Sequence, residues 1–156
     1  MKKFIYMLLL VVLGNLVFAN SEEAVITVKA TLVDEEFVVG GVNDTPLIID
    51  FGSIDESSNG NLDFMVQYSG VKNNSSKVNL SLNNSQVVLL NENNSILNSN
   101  LVLNKESGII DNKALVASIK GDIAKDSTTE NGIYTGIVHL NVTVIPMWKP
   151  KKAVVD

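Results

Sequence analysis

Residues 131–146 read NGIYTGIVHLNVTVIP, and Tyr134, Gly136, Val138, Leu140, Val142 and Val144 stand at every second position of that stretch. Successive side chains of an extended strand point to opposite faces, so this spacing places all six on one face. The other face mixes Ile133, Thr135, Ile137, His139, Asn141, Thr143 and Ile145. Residues 133–145 are therefore expected to form one long strand, buried on one face and covered over part of the other. Pro146 lacks an amide donor and is expected to end the ladder.

The same alternation recurs at the other end of the chain. Ala24, Ile26, Val28, Ala30 and Leu32 share one face, opposite Thr27, Lys29 and Thr31. Between these two segments, further strands are expected at 47–51, 62–68, 77–82, 86–90, 101–103 and 114–119. The interruptions DESSNGN, GVKNNSS, NNS, NENNS and DSTTENG are rich in Asn, Asp and Gly, which tolerate the left-handed backbone of tight turns. Short alternating runs separated by turns at close intervals indicate an all-β sandwich or barrel. No segment carries an amphipathic helical stripe, and there is no internal repeat.

Upstream of the first strand, MKKFIYMLLLVVLGNLVFAN joins two lysines to an apolar run over 4–13 and the small-residue pattern Val17-Phe18-Ala19. This is the pattern of a secretory signal peptide, with cleavage expected after Ala19. The apolar run is shorter than the ~20 residues that span hydrocarbon. Losing Lys2 and Lys3 takes the formal net charge from −5 to −7, since every acidic residue lies downstream. All twelve strong cations are lysines, so the guanidinium fork that recognises phosphate is missing, and the acidic balance disfavours nucleic acid. The chain has no cysteine, so an exported fold must draw its stability from core burial, partner strands or both.

Nothing in the residue pattern selects a catalytic centre, cofactor or metal. His139 is the single histidine, with no Cys or second His to complete a metal set. Asp55 to Asp63 begins like a calcium loop, with alternating oxygen ligands and Gly60 sixth, but Val66 stands where a bidentate glutamate is required. Carboxylates fall mostly in turns without the paired spacing of general acid–base work, and no glycine-bracketed serine elbow is present. The stretch after Pro146, MWKPKKAVVD, is basic and proline-interrupted.

The segments EEAVITVKATLVDEEF and NGIYTGIVHLNVTVIP resemble the ends of the major subunits of colonisation-factor-type fimbriae, built by the alternate chaperone-usher pathway. The second matches that family's closing Gly-x-Tyr-x-Gly pattern followed by alternating apolar residues. DTPLIIDFGSI, LDFMVQYSG and SSKVNLSL match the family in rhythm, and the lack of cysteine agrees with it.

The resemblance implies an immunoglobulin-like, pilin-type β-sandwich lacking its last strand. It implies a signal peptide at 1–19, a donor-strand segment at 20–34, the sandwich at 35–146 and a basic tail at 147–156. In that arrangement Ala24, Ile26, Val28, Ala30 and Leu32 are donor knobs. They fill a neighbour's groove bordered by Tyr134, Gly136, Val138, Leu140, Val142 and Val144. The implied function is a structural subunit of a surface fimbria that polymerises by donor-strand exchange and assists adhesion. Its partners are other copies of itself, a periplasmic chaperone, an outer-membrane usher and a host receptor. Its route runs through the periplasm to the cell surface. Three alternatives remain on the sequence: the N-terminal strand pairs within its own chain, the domain is a monomeric secreted module binding carbohydrate or protein, or, last in order, it is a hydrolase using scattered carboxylates.

Overall fold

The computed structural model describes residues 22–32, 36–69, 75–110 and 114–147. The expected signal peptide and all of the basic tail beyond Met147 lie outside the described residues. Ten strands follow in order: β1 (Glu22–Leu32), β2 (Phe37–Gly41), β3 (Ile48–Ser53), β4 (Ser57–Tyr68), β5 (Ser76–Leu82), β6 (Gln86–Leu90), β7 (Ile96–Leu103), β8 (Ser107–Ile110), β9 (Leu115–Ala124) and β10 (Gly132–Pro146). The one helical element among them is a single 3-10 turn, Val42–Asp44. The all-β expectation therefore holds.

Each strand expected from alternation is present, and β6 has the expected bounds. Two strands were not expected. β2 carries Gly40 and Gly41 in place of an alternating face, and β8 is a four-residue edge strand. β4 also starts within a stretch expected to be a turn. Its inward positions there are Ser58 and Gly60, whose small side chains give no apolar signal. The calcium-loop resemblance dissolves for the same reason, because residues 57–63 are extended strand rather than a ligand-gathering loop. The ladder also runs past Pro146: that residue pairs with Ser76, and the Met147 amide donates to the Ser75 carbonyl at 3.0 Å.

The strands form one mixed sheet in the order β2-β4-β9-β7-β6-β10-β1-β3, with β5 pairing β10 and β8 pairing β5. β10 is the pivot. Its first half touches β6 through Thr135 and Leu90, and its second half, from Leu140 onward, pairs with β5. The sheet thereby curls into two packed layers around a common core of Ile26, Ile49, Phe64, Leu89, Ile119, Tyr134 and Leu140. The layers approach each other closely at two glycines. Gly60 and Gly121 are register partners across β4 and β9. A Cβ at Gly121 would fall 2.7 Å from the Phe51 ring, and one at Gly60 would fall 2.6 Å from Ile49. This notch lets β3 lie against the opposite layer.

Loop chemistry supports the ends of the long strands. Asn91 accepts hydrogen bonds through Oδ1 from the Asn93 and Ser95 amides at 3.0 and 2.8 Å, closing the β6–β7 turn. Ahead of β10, the Thr128 hydroxyl and amide both donate to Asp126, which holds that carboxyl below the ordinary aspartate range. The core has one polar defect among the described residues: the Ser99 hydroxyl on β7 is fully buried with no hydrogen-bond partner. A buried unsatisfied hydroxyl costs about 1–3 kcal/mol, so Ser99→Ala is expected to stabilise the fold by about 1 kcal/mol in denaturant unfolding. A loss of stability would mean that the hydroxyl has a partner after all.

Candidate functional site: the inserted first strand

The first strand begins Glu-Glu-Ala-Val-Ile-Thr-Val, and its in-phase residues Ala24, Ile26 and Val28 are buried to 3% exposure or less. β-branched residues suit an extended backbone, and Ala24 admits close approach where the strand enters. The strand runs parallel to β10, the one parallel pair among the described strands. On its other edge it runs antiparallel to β3, with a register shift between Ala24 and Val25 that skips Phe51. β1 is thus an interior strand over Glu23–Val28, where its backbone is paired on both sides.

The register brings together the two sets of residues singled out in the sequence. Ala24 pairs with Tyr134, Ile26 with Gly136, Val28 with Val138, Ala30 with Leu140, and Leu32 with Val142. The expected donor face and the expected groove are therefore adjacent rows of one buried surface, here within a single chain. Depth is uneven along that surface. Tyr134, Val138, Leu140 and Val142 are buried, whereas Ala30, Leu32, Gly136 and Val144 are half-buried, so the deep part of the knob row is Ala24 to Val28. Beside Gly136 the space is filled from β6, where a Cβ would meet Val87 and Leu89 at 3.0 and 3.1 Å.

Tyr134 closes the entrance end. It is fully buried, and its hydroxyl donates to the Glu130 carbonyl at 2.8 Å and lies 3.1 Å from the Ser95 hydroxyl. The same end holds a residue pair that the alternation did not reveal. Glu22 sits in phase with the knobs, 8% exposed, with its carboxylate 3.4 Å from Lys125 Nζ. The signal for it was there: a carboxylate two positions ahead of Ala24, on the same face.

On the solvent side, the expected partial cover of β10 is not found among the described residues. Ile133 and Ile137 are more than half exposed, and Leu90 and Ile96 extend the apolar row onto β6 and β7. His139 lies on this outer face as expected, paired with Lys29. Among the described residues no group of three or more His, Cys, Asp or Glu side chains is arranged to hold a metal ion. The described surface also carries two open grooves. One of about 500 Å³ is lined by Asn43, Asp50, Asn61 and Asp63 among others, and one of about 790 Å³ runs between Leu80–Leu82 and Leu101–Leu103. Neither has an aromatic side chain in its lining. The chain matches no protein-family model and no curated protein.

Proposed function

We propose that the chain is a structural subunit of a surface fimbria whose immunoglobulin-like, pilin-type sandwich is completed by an exchangeable first strand. The observation that carries this reading is the one-to-one register of Ala24, Ile26, Val28, Ala30 and Leu32 against Tyr134, Gly136, Val138, Leu140 and Val142. A strand seated this way contributes both backbone bonds and side-chain knobs, the two components of donor-strand complementation. β1 is also the first described element, and residues 33–36 tie it covalently to the strands that follow. Exchange of a terminal element between identical protomers reuses contacts that already exist and is a low-cost route to assembly.

Two further features support the family resemblance. The Tyr134 hydroxyl bonds back to the backbone four residues upstream at the start of a long strand, as the tyrosine corner of immunoglobulin-like sandwiches does. The uncovered apolar row on β10, β6 and β7 suits a subunit packed among copies. In this reading export precedes assembly. A periplasmic chaperone fills the groove first, an outer-membrane usher receives the subunit, and the neighbour's residues 22–32 replace the chaperone strand. Any host receptor is met by the finished fibre.

The test is a denaturing gel of material sheared from the cell surface, run with and without boiling. A ladder of subunit multiples that collapses to one band on boiling is expected. A single band in both lanes overturns the proposal.

The second reading is a monomeric secreted binding module, and it is favoured by one observation: in the single chain β1 already lies in its own sheet. Glycan modules commonly present aromatic platforms, and neither groove has one. Purified chain that stays monomeric at high concentration and binds a glycan or protein ligand would establish this alternative.

A further inference from the structure

An alternating strand has a registry problem. A slip by one residue turns its apolar face outward, but a slip by two keeps apolar residues against apolar residues. Ala24, Ile26, Val28, Ala30 and Leu32 are all apolar, so hydrophobicity by itself separates such registers weakly. The inward row of β1 nevertheless begins with a charge. Glu22 occupies the next in-phase position, and its side chain is 10% exposed. Its carboxylate faces Lys125, which stands one residue beyond β9, its amide donating to the Glu56 carbonyl at 3.0 Å. The Glu22 carbonyl in turn accepts the Ile54 amide at 2.8 Å.

We infer that the Glu22–Lys125 pair is the register stop of the first strand in its place beside β10. Sliding β1 two residues deeper would bring Glu22 opposite Tyr134, into a fully buried position without a cation. Burying an unpaired carboxylate is strongly unfavourable. Sliding two residues outward takes Glu22 past the pairing it makes with Gly132 and separates it from Lys125. One ion pair thus opposes both slips. The strand so held is β1 in the sheet of its own chain, and the inference does not depend on the fimbrial reading.

The chain has no cysteine, which allows a direct readout of register. Thr27 and Ile137 are register partners with exposed side chains, while Thr135 is the partner after an outward slip of two. In full-length Thr27→Cys/Ile137→Cys and Thr27→Cys/Thr135→Cys proteins, mild oxidation is expected to close the 27–137 disulfide at least ten-fold more efficiently than the 27–135 one. Adding Glu22→Lys or Lys125→Glu is expected to raise 27–135 closure to a level comparable with 27–137. Combining both reversals is expected to restore the original preference. Where a reversal prevents folding, Glu22→Gln and Lys125→Met carry the same comparison.

A merely structural pair would lower the melting temperature without moving the cross-link from 137 to 135. That outcome, or an unchanged 27–137 preference in the single reversals, overturns the inference. Because the cross-link forms within one chain, the result is independent of whether fibres assemble.

Discussion

Deleting residues 20–33 is expected to abolish both the fibre and independent folding of the subunit, and a synthetic peptide of the same residues is expected to restore folding. The argument is one of magnitude. Fully burying Ile26 and Val28 is worth about 1.5–3 kcal/mol each, and half-buried Leu32 adds part of a like amount. Removing the strand also strips the partner from β3 along Ile48–Ser53 and bares one edge of β10 over Gly132 to Val142. A domain is stable by only about 5–15 kcal/mol, so a loss of this order removes most or all of it. The check is a thermal melt of the truncated chain, alone and with equimolar peptide. No cooperative transition alone and a clear one with peptide is the expected result. A truncated chain that melts cooperatively within a few degrees of the full protein would show that β1 is not needed to complete the fold.

Replacing a single knob should approach the same effect, and its neighbour should not. Ile26 is fully buried between β10 and β3, paired with Gly136 and Ile49. Ile26→Asp both removes the branched side chain and buries a carboxylate without a cation. It is expected to cost more than about 4 kcal/mol, placing it among the exceptional substitutions. Thr27 is on the outer face of the same strand, and Thr27→Asp is expected to change stability by no more than about 0.5 kcal/mol. Denaturant unfolding of the two variants, with the gel ladder of each, checks the pair. Equal effects at 26 and 27 would mean that strand presence alone, and not the buried knob row, holds β1 in place.

The parts of this fold legible in the sequence are those whose inward faces are large and apolar. β10, β1 and β5 announce themselves because Val, Leu and Ile alternate with Asn, Ser, Thr and Lys, and β6 does so as a short apolar run between two turn clusters. β4 was half legible, since Phe64 and Val66 signal its second half while Ser58 and Gly60 conceal its first. Those small residues are not turn formers here. Gly60 makes room for Ile49 and Phe51 of β3, so the sequence signal was lost for the very reason that the layers pack closely. In β7, the inward Ser99 interrupted the apolar row between Leu97 and Leu101, and the strand was expected to begin five residues too late. β2 and β8 lacked alternation because one ends in two glycines and the other is a short edge.

The candidate site divides in the same way. Which residues of β1 and β10 face inward could be read from period two alone. Whose sheet β1 joins could not, because alternation specifies a face and not a neighbour. The parallel direction and the role of Glu22 were likewise beyond periodicity. The latter depends on Lys125, more than a hundred residues away in the chain, arriving beside the start of β1.

The central claim is that β1 of one copy completes the sheet of another, and covalent tracing tests it most directly. Copies carrying a tag ahead of residue 22 and a protease site within 33–36 would be co-assembled with copies bearing a different tag after Asp156, and the fibre then cleaved at that site. The first tag, with residues 22–32, is expected to remain bound to the second population when that population is recovered by its own tag. Recovery of the cleaved strand only with the body of the chain it came from would contradict the claim.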